Sequence, residues 1–208
     1  KLTRNSLKQD TTGDVNLTKQ SVKYAAIFMP FFALLFSLVS VDLLMSLDAT
    51  WYSTMFGVNC FANLFLSALA AIIIFVISMK RAGYFGESVN ENHTQNLGLL
   101  MFAFTVFYAY IAFCQFMLIW YGNLPEETSY FIRRWDNGWS FVALTILFVK
   151  FIIPFLLLLP REAKRNMNFL FKMACLAVVA NWIDLFWMTM PAYSKTPFLP
   201  LPELGIFV

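Results

Sequence analysis

The chain has 208 residues, 60% of them hydrophobic and 13% charged, with a mean hydropathy of +0.66 and a formal charge of +3. Soluble domains carry about 25% charged residues, so the composition excludes an ordinary water-soluble globule. It predicts an all-α polytopic transmembrane helix bundle whose first partner is a lipid bilayer, not nucleic acid.

Residues 1–20 are polar, with Lys1, Arg4, Lys8, Asp10, Asp14 and Lys19 interrupted by Gly13. They read as a loop with at most a short interfacial helix. The first apolar segment runs from about Tyr24 to Leu47, with Pro30 near its start, where a helix tolerates proline best, and Asp42 near its far end. A turn follows, in which Asp48 and Thr50 are candidate N-caps for a second helix from Trp51 to Met79. Lys80 and Arg81 close that helix, and Gly83 and Gly86 open a polar loop through Asn96 that contains the single histidine, His93.

The third segment carries no charged residue from Leu97 to Tyr121, long enough to cross a hydrocarbon core about 30 Å thick. Trp120 and Tyr121 fall where an interfacial aromatic belt lies. Thr105, Tyr108, Ala112 and Gln115 recur at helical spacing and share one face, which suits contact with protein or a hydrated cavity better than lipid. The loop beyond holds Glu126, Glu127, Arg133, Arg134 and Asp136. A fourth helix runs from Trp139 to Leu159 with Lys150 near its middle, and a basic turn from Pro160 to Arg165 follows. The fifth runs from Phe169 to Met190. Pro191, Pro197, Pro200 and Pro202 then make an extended tail. The organisation expected is therefore a polar segment 1–20, a five-helix membrane region 21–190 and a Pro-rich tail 191–208 leading to a further segment. A start without Met and an apolar run beginning at Leu204 suggest a piece of a longer protein.

Five spans alternate sides. Ten Lys and Arg, from Lys1 to Lys23, at Lys80 and Arg81, and from Arg161 to Arg165, fall on one side, with Lys172 close by; Arg133, Arg134 and Lys195 fall on the other. The basic side, with the N-terminal segment, is expected to be cytoplasmic.

An ionisable group in a bilayer costs about 2.5–3.5 kcal/mol on insertion scales, so each one needs a reason. Asp42, Gln115 and Asp184 fall at similar depth toward the less basic side, and bundling would gather them into one polar cluster, with Asn181 one turn from Asp184. Lys150 lies deeper. Pro154, four residues later, cannot donate to its carbonyl. One reading is a proton or ion path through Asp42, Tyr108, Gln115, Lys150 and Asp184, with Asp48 at its mouth and His93 as an entry group. The other is structural: buried pairs that fix helix packing, with Lys150 snorkelling in part. Glu126, Glu127, Arg133 and Arg134 suit docking of a neighbouring subunit. Cys60, Cys114 and Cys175 lie in separate apolar segments with no metal-binding spacing, and one histidine cannot supply two axial haem ligands.

Three runs carry a resemblance: Asp42 to Gly57 (DLLMSLDATWYSTMFG), Gln115 to Thr128 (QFMLIWYGNLPEET), and Asn181 to Asp184 (NWID) with Met188 to Pro191 (MTMP). They resemble the NrfD-like, polysulfide-reductase membrane-subunit family, in the form found in bacterial alternative complex III, over about residues 21–203 and in that form's C-terminal half. The resemblance implies a bacterial inner-membrane subunit of a quinol:cytochrome c, or other high-potential acceptor, oxidoreductase of the respiratory or photosynthetic chain. It implies a chain that binds no cofactor itself, with quinol, haem c and iron–sulfur clusters in its partners. Those partners are a sister NrfD-like membrane subunit, a periplasmic iron–sulfur subunit, and multihaem and monohaem cytochrome c subunits. It implies proton half-channels built from polar residues, a role for which Asp42, Gln115 and Asp184 have the right depth. A pure scaffold for the redox subunits and an independent transporter are the competing readings.

Overall fold

The computed structural model describes residues 2–86 and 89–197. The elements are α1 (Leu2–Thr12), α2 (Val15–Leu43) with a 3-10 turn at Met45–Leu47, α3 (Phe56–Arg81), α4 (Glu91–Gly122) and α5 (Pro125–Arg133). They continue with α6 (Trp139–Ile146), a π-helical stretch (Leu147–Ile152), α7 (Ile153–Leu158), α8 (Arg161–Arg165) and α9 (Met167–Thr189), which ends in a 3-10 turn at Met190–Ala192. Among the described residues there is no strand. Five helical segments are long and apolar enough to cross a membrane: Val15–Leu47, Phe56–Arg81, Glu91–Gly122, Trp139–Leu158 and Met167–Ala192. The protein is an all-α, multi-pass membrane bundle.

Local chemistry sets the helix ends, and in places it moves them from the boundaries that hydropathy suggests. The N-terminal polar stretch is mostly helical, because Asp14 caps α2 by accepting from the Asn16 N–H at 2.9 Å, well before the apolar run begins. Neither Asp48 nor Thr50 caps the second span; α3 starts later, at Phe56, and Asp48 is taken by arginines instead. Asn90 and His93 form a capping box at the start of α4. Asn123, at φ +46°, ends α4 in the left-handed region. Pro125 then opens α5 in its first turn, so Glu126, Glu127 and Arg133 lie on a short helix with Arg134 as its C-cap, not in a loop.

The fourth span is not a plain α-helix. Through Leu147–Ile152 it widens to the π form, in which the Ile153 N–H bonds to the Phe148 carbonyl, five residues back. Pro154 follows directly, in the first turn of α7, where a helix tolerates proline.

The α3 helix lies at the centre, packed on α2, α4 and α9. One half of the bundle has an apolar core of Leu66, Ile73, Met101, Leu158 and Leu170, with Ala70, Ala174 and Ala177 allowing close approach of α3 to α9. Buried Lys164 donates to the Leu158 and Leu159 carbonyls at that end, where Arg81–Asn168 and Arg165–Glu91 contacts tie the connections together. The opposite end is marked by Asp48, α5 and the end of α9. The α2 span is largely unburied and packs mainly on α3 among the spans. Pro191 lies in the 3-10 turn after α9, and Pro197 approaches Gly138. Pro200 and Pro202 lie outside the described residues.

Candidate functional site

Midway along the bundle four helices each contribute one polar side chain to a buried group. Lys150, from the π-helical stretch, donates from Nζ to Asp184 Oδ2 of α9 at 2.6 Å; the two side chains are 0% and 3% exposed. Its second acceptor is Asn63 Oδ1 of α3. The Tyr108 ring of α4 lies under the ammonium, 3.6 Å from Nζ to the ring centroid, and its hydroxyl donates to Asp184 Oδ2 at 3.0 Å. The cation thus has a carboxylate, an amide oxygen and an aromatic face, and the carboxylate has an ammonium and a phenol. Pairing and hydrogen bonding of this kind make two ionisable groups tolerable away from water. The π-helical stretch projects Lys150 inward, so the side chain does not snorkel.

Polar side chains continue from this group toward the Asp48 end. Asn59 lies one helical turn from Asn63 on α3, and Gln115 lies two turns beyond Tyr108 on α4. Both are buried, and each has a side-chain oxygen without a partner, Asn59 Oδ1 and Gln115 Oε1. Asn181, one turn from Asp184 in the other direction, has neither its amide nitrogen nor its oxygen paired. Buried amides in a native interior are nearly always satisfied, and roomy polar sites are commonly satisfied by water. A cavity of about 1000 Å³ lies alongside, with Asn59, Tyr108, Gln115 and Asp184 in its wall. Thr105 shares the face of Tyr108 and Gln115 but donates to its own Met101 carbonyl, so its hydroxyl is spent within the helix.

The Asp48 end closes with a second charged group. Buried Asp48 accepts from Arg133 Nη2 at 2.7 Å on Oδ1 and 2.6 Å on Oδ2, and Arg134 Nη1 lies 3.8 Å from Oδ2. Arg134 also donates to the Met188 carbonyl at 2.8 Å and to the Tyr130 carbonyl at 3.2 Å, and its guanidinium lies 3.4 Å from the centroid of the Tyr130 ring. Trp51 stacks on the same ring at 3.7 Å between centroids. This assembly binds α5 to the turn after α2 and to the end of α9. Burial raises the pKa of the Tyr130 phenol above its ordinary value, against the pull of the Arg134 cation. Burial also lowers the pKa of Arg134, against the opposing pull of Tyr130 and Asp48.

The structure therefore joins Tyr108, Lys150 and Asp184 directly, and sets Gln115 nearby. It separates Asp42, which is exposed on α2 and contributes its backbone carbonyl to the Ser46 hydroxyl. The expected clustering of Asp42 with Gln115 and Asp184 does not occur, because the depth of a residue does not set its rotation about the helix axis. His93 is exposed and engaged in capping. Glu126 is exposed and Glu127 half-buried, while Arg133 and Arg134 are turned inward to Asp48. Asn63 was missed by sequence reasoning, although its spacing of four from Asn59 on an otherwise apolar helix was the available signal. Among the described residues no three His, Cys, Asp or Glu side chains are grouped to hold a metal. No protein-family model matches the sequence, and no curated protein matches it.

Proposed function

We propose that this chain is an inner-membrane subunit of a quinol:cytochrome c, or other high-potential acceptor, oxidoreductase, in which it supplies a one-sided proton path ending at the Lys150–Asp184 pair. The observation that carries the proton reading is the asymmetry around that pair. Toward Asp48 lie Asn59, Gln115, the cavity, and then Tyr130 and Arg134. Toward Lys164, beyond Asn181 and Thr105, lie Leu66, Ile73, Met101, Leu158 and Leu170, all apolar. Water admitted from the Asp48 end reaches Asp184 and stops. Such a half-channel delivers or releases a proton on one side only, and the carboxylate, the phenol and the ammonium are the groups able to hold it.

The redox setting rests on the three runs that resemble the NrfD-like family. On that reading the Asp48 end faces the periplasm and the basic end faces the cytoplasm, in keeping with the positive-inside bias. The sister membrane subunit, the iron–sulfur subunit and the cytochrome c subunits would carry quinol, clusters and haem. A scaffold role is favoured by one specific observation, the close pairing of Lys150 with Asp184 and Asn63. The two readings separate in one experiment. In the intact complex in proteoliposomes, Asp184→Asn and Lys150→Gln should keep quinol-driven electron transfer and lose proton movement. Unchanged proton movement in both variants leaves the scaffold.

A further inference from the structure

The cavity beside the polar group is elongated. Its wall on α4 extends from Val106 to Asn123, roughly 25 Å at 1.5 Å per residue. Between those ends most of the lining is apolar, with Phe113 and Phe116 of α4 facing Phe131 of α5 and Leu147 and Phe151 of the fourth span, and Asn59, Tyr108, Gln115 and Asp184 form a polar patch in the wall. It is open sideways, since Phe113, Trp120, Ile132 and Trp135 on its rim are all exposed. An apolar slot that runs along a membrane-spanning helix and opens laterally faces hydrocarbon. Its mouth lies at the aromatic belt formed by Trp120, Tyr121 and Trp135, the level of lipid head groups.

The mouth has a sign. Asp136 lines it, and exposed Glu126 and half-buried Glu127 lie on the adjoining α5. Arg133 and Arg134 are both engaged with Asp48, and Lys195 follows in the segment that approaches Gly138 through Pro197. With Asp48, Glu126, Glu127 and Asp136 against Arg133, Arg134 and Lys195, the local balance is negative. Such a rim repels an anionic head group and attracts an ammonium.

We propose that the slot is a binding site for a bilayer phospholipid with an ammonium-bearing head group. One acyl chain occupies the length from Trp120 toward Phe151, and the head lies at Asp136. The chain fills apolar volume that water would otherwise enter, so the lipid keeps the path beside Gln115 and Asp184 narrow. The site does not depend on whether protons move through the chain.

The test uses the full chain purified in mild detergent. It is offered phosphatidylethanolamine or phosphatidylglycerol with the same acyl chains, and bound lipid is counted by native mass spectrometry. The expected result is retention of phosphatidylethanolamine over phosphatidylglycerol by about five-fold for each unit of rim charge felt. Asp136→Asn should reduce that preference, and Ala143→Trp, which fills the slot from α6, should abolish retention. Should Ala143→Trp fail to fold, a phosphatidylethanolamine carrying a photoreactive group in its acyl chain keeps the question decidable on the unaltered protein. Crosslinks at Phe113, Phe116 or Leu147 support the site. Crosslinks confined to α2, or equal retention of the two lipids, overturn it, as does unchanged retention in well-folded Ala143→Trp.

Discussion

Lys150 and Asp184 lie 2.6 Å apart with both side chains buried, and Tyr108 touches both: its ring meets the ammonium and its hydroxyl the carboxylate. A desolvated ion pair makes its strongest demand when one partner is removed. Lys150→Met or Asp184→Leu alone leaves an unpaired buried charge and should cost about 3–5 kcal/mol, whereas the double variant should recover most of that loss. Thermal unfolding of the four proteins in one detergent measures it. Equal destabilisation in the double variant and the worse single variant would show that packing, not charge pairing, dominates. Recovered stability without recovered proton movement would separate the pair's structural role from its chemical one.

The two arginines beside Asp48 should differ in effect when changed singly. Arg133 is 46% exposed and Arg134 only 3%, and only Arg134 also holds the Met188 carbonyl and covers the Tyr130 ring. Arg133→Ala should cost on the order of 1 kcal/mol, as for a partly solvated pair. Arg134→Ala should cost about 2–3 kcal/mol more, because it also strands buried partners. The double variant should exceed the sum of the two, since Asp48 is then left buried and alone. A double-mutant cycle on unfolding midpoints gives the coupling directly.

Alkaline pH should loosen the Asp48 end first. Burial raises the pKa of Tyr130 in the folded protein above its unfolded value of about 10. A group whose folded pKa is raised contributes stability that is complete below the unfolded pKa and is lost as pH rises through the folded one. The unfolding midpoint should therefore fall above about pH 10, and Tyr130→Phe should flatten that part of the profile. Lys and other Tyr residues titrate in the same range, so the comparison with Tyr130→Phe is the informative one. An identical alkaline slope in the variant would remove Tyr130 from the account.

Gly98 and Gly122 give a paired test of packing on α4. A Cβ on Gly98 would lie 3.0 Å from the Lys164 Cβ, whose side chain is held at the Leu158 and Leu159 carbonyls. A Cβ on Gly122 meets nothing within 4 Å. Replacing Gly by Ala within a helix gains up to about 1 kcal/mol, while overpacking costs about 1–3 kcal/mol. Gly98→Ala should therefore lower the unfolding midpoint, and Gly122→Ala should leave it level or raise it slightly. A stabilising Gly98→Ala would mean that Lys164 yields at little cost.

Much of the architecture was legible in one dimension. Hydropathy alone locates the five spans, because each must carry its own apolar length across the bilayer and satisfy its backbone internally. The spacing of Tyr108 and Gln115 marked the inward face of α4, and the isolated charges of Lys150 and Asp184 marked residues in need of partners. The ends of helices were less legible. Asp14 and Asn90 act through side-chain hydrogen bonds that extend α2 and α4 into polar sequence, where hydropathy has no signal. The π register around Lys150 was not legible, and Pro154 marked only a carbonyl without its usual donor.

What the sequence determined by itself was the depth of each group in the membrane, because depth follows from counting residues along a helix of known rise. What only the tertiary structure decided was azimuth. Asp42 and Asp184 look alike by depth, yet one is exposed on α2 and the other is buried against Lys150 and Tyr108. Rotation about a helix axis is set by which neighbours pack against it. Asn63 from α3 and Lys150 from the fourth span are 87 positions apart in the chain, and no local pattern records that they meet. The same holds for Asp48, where a candidate helix cap became the anchor of two arginines because α5 folds back over the turn that carries it.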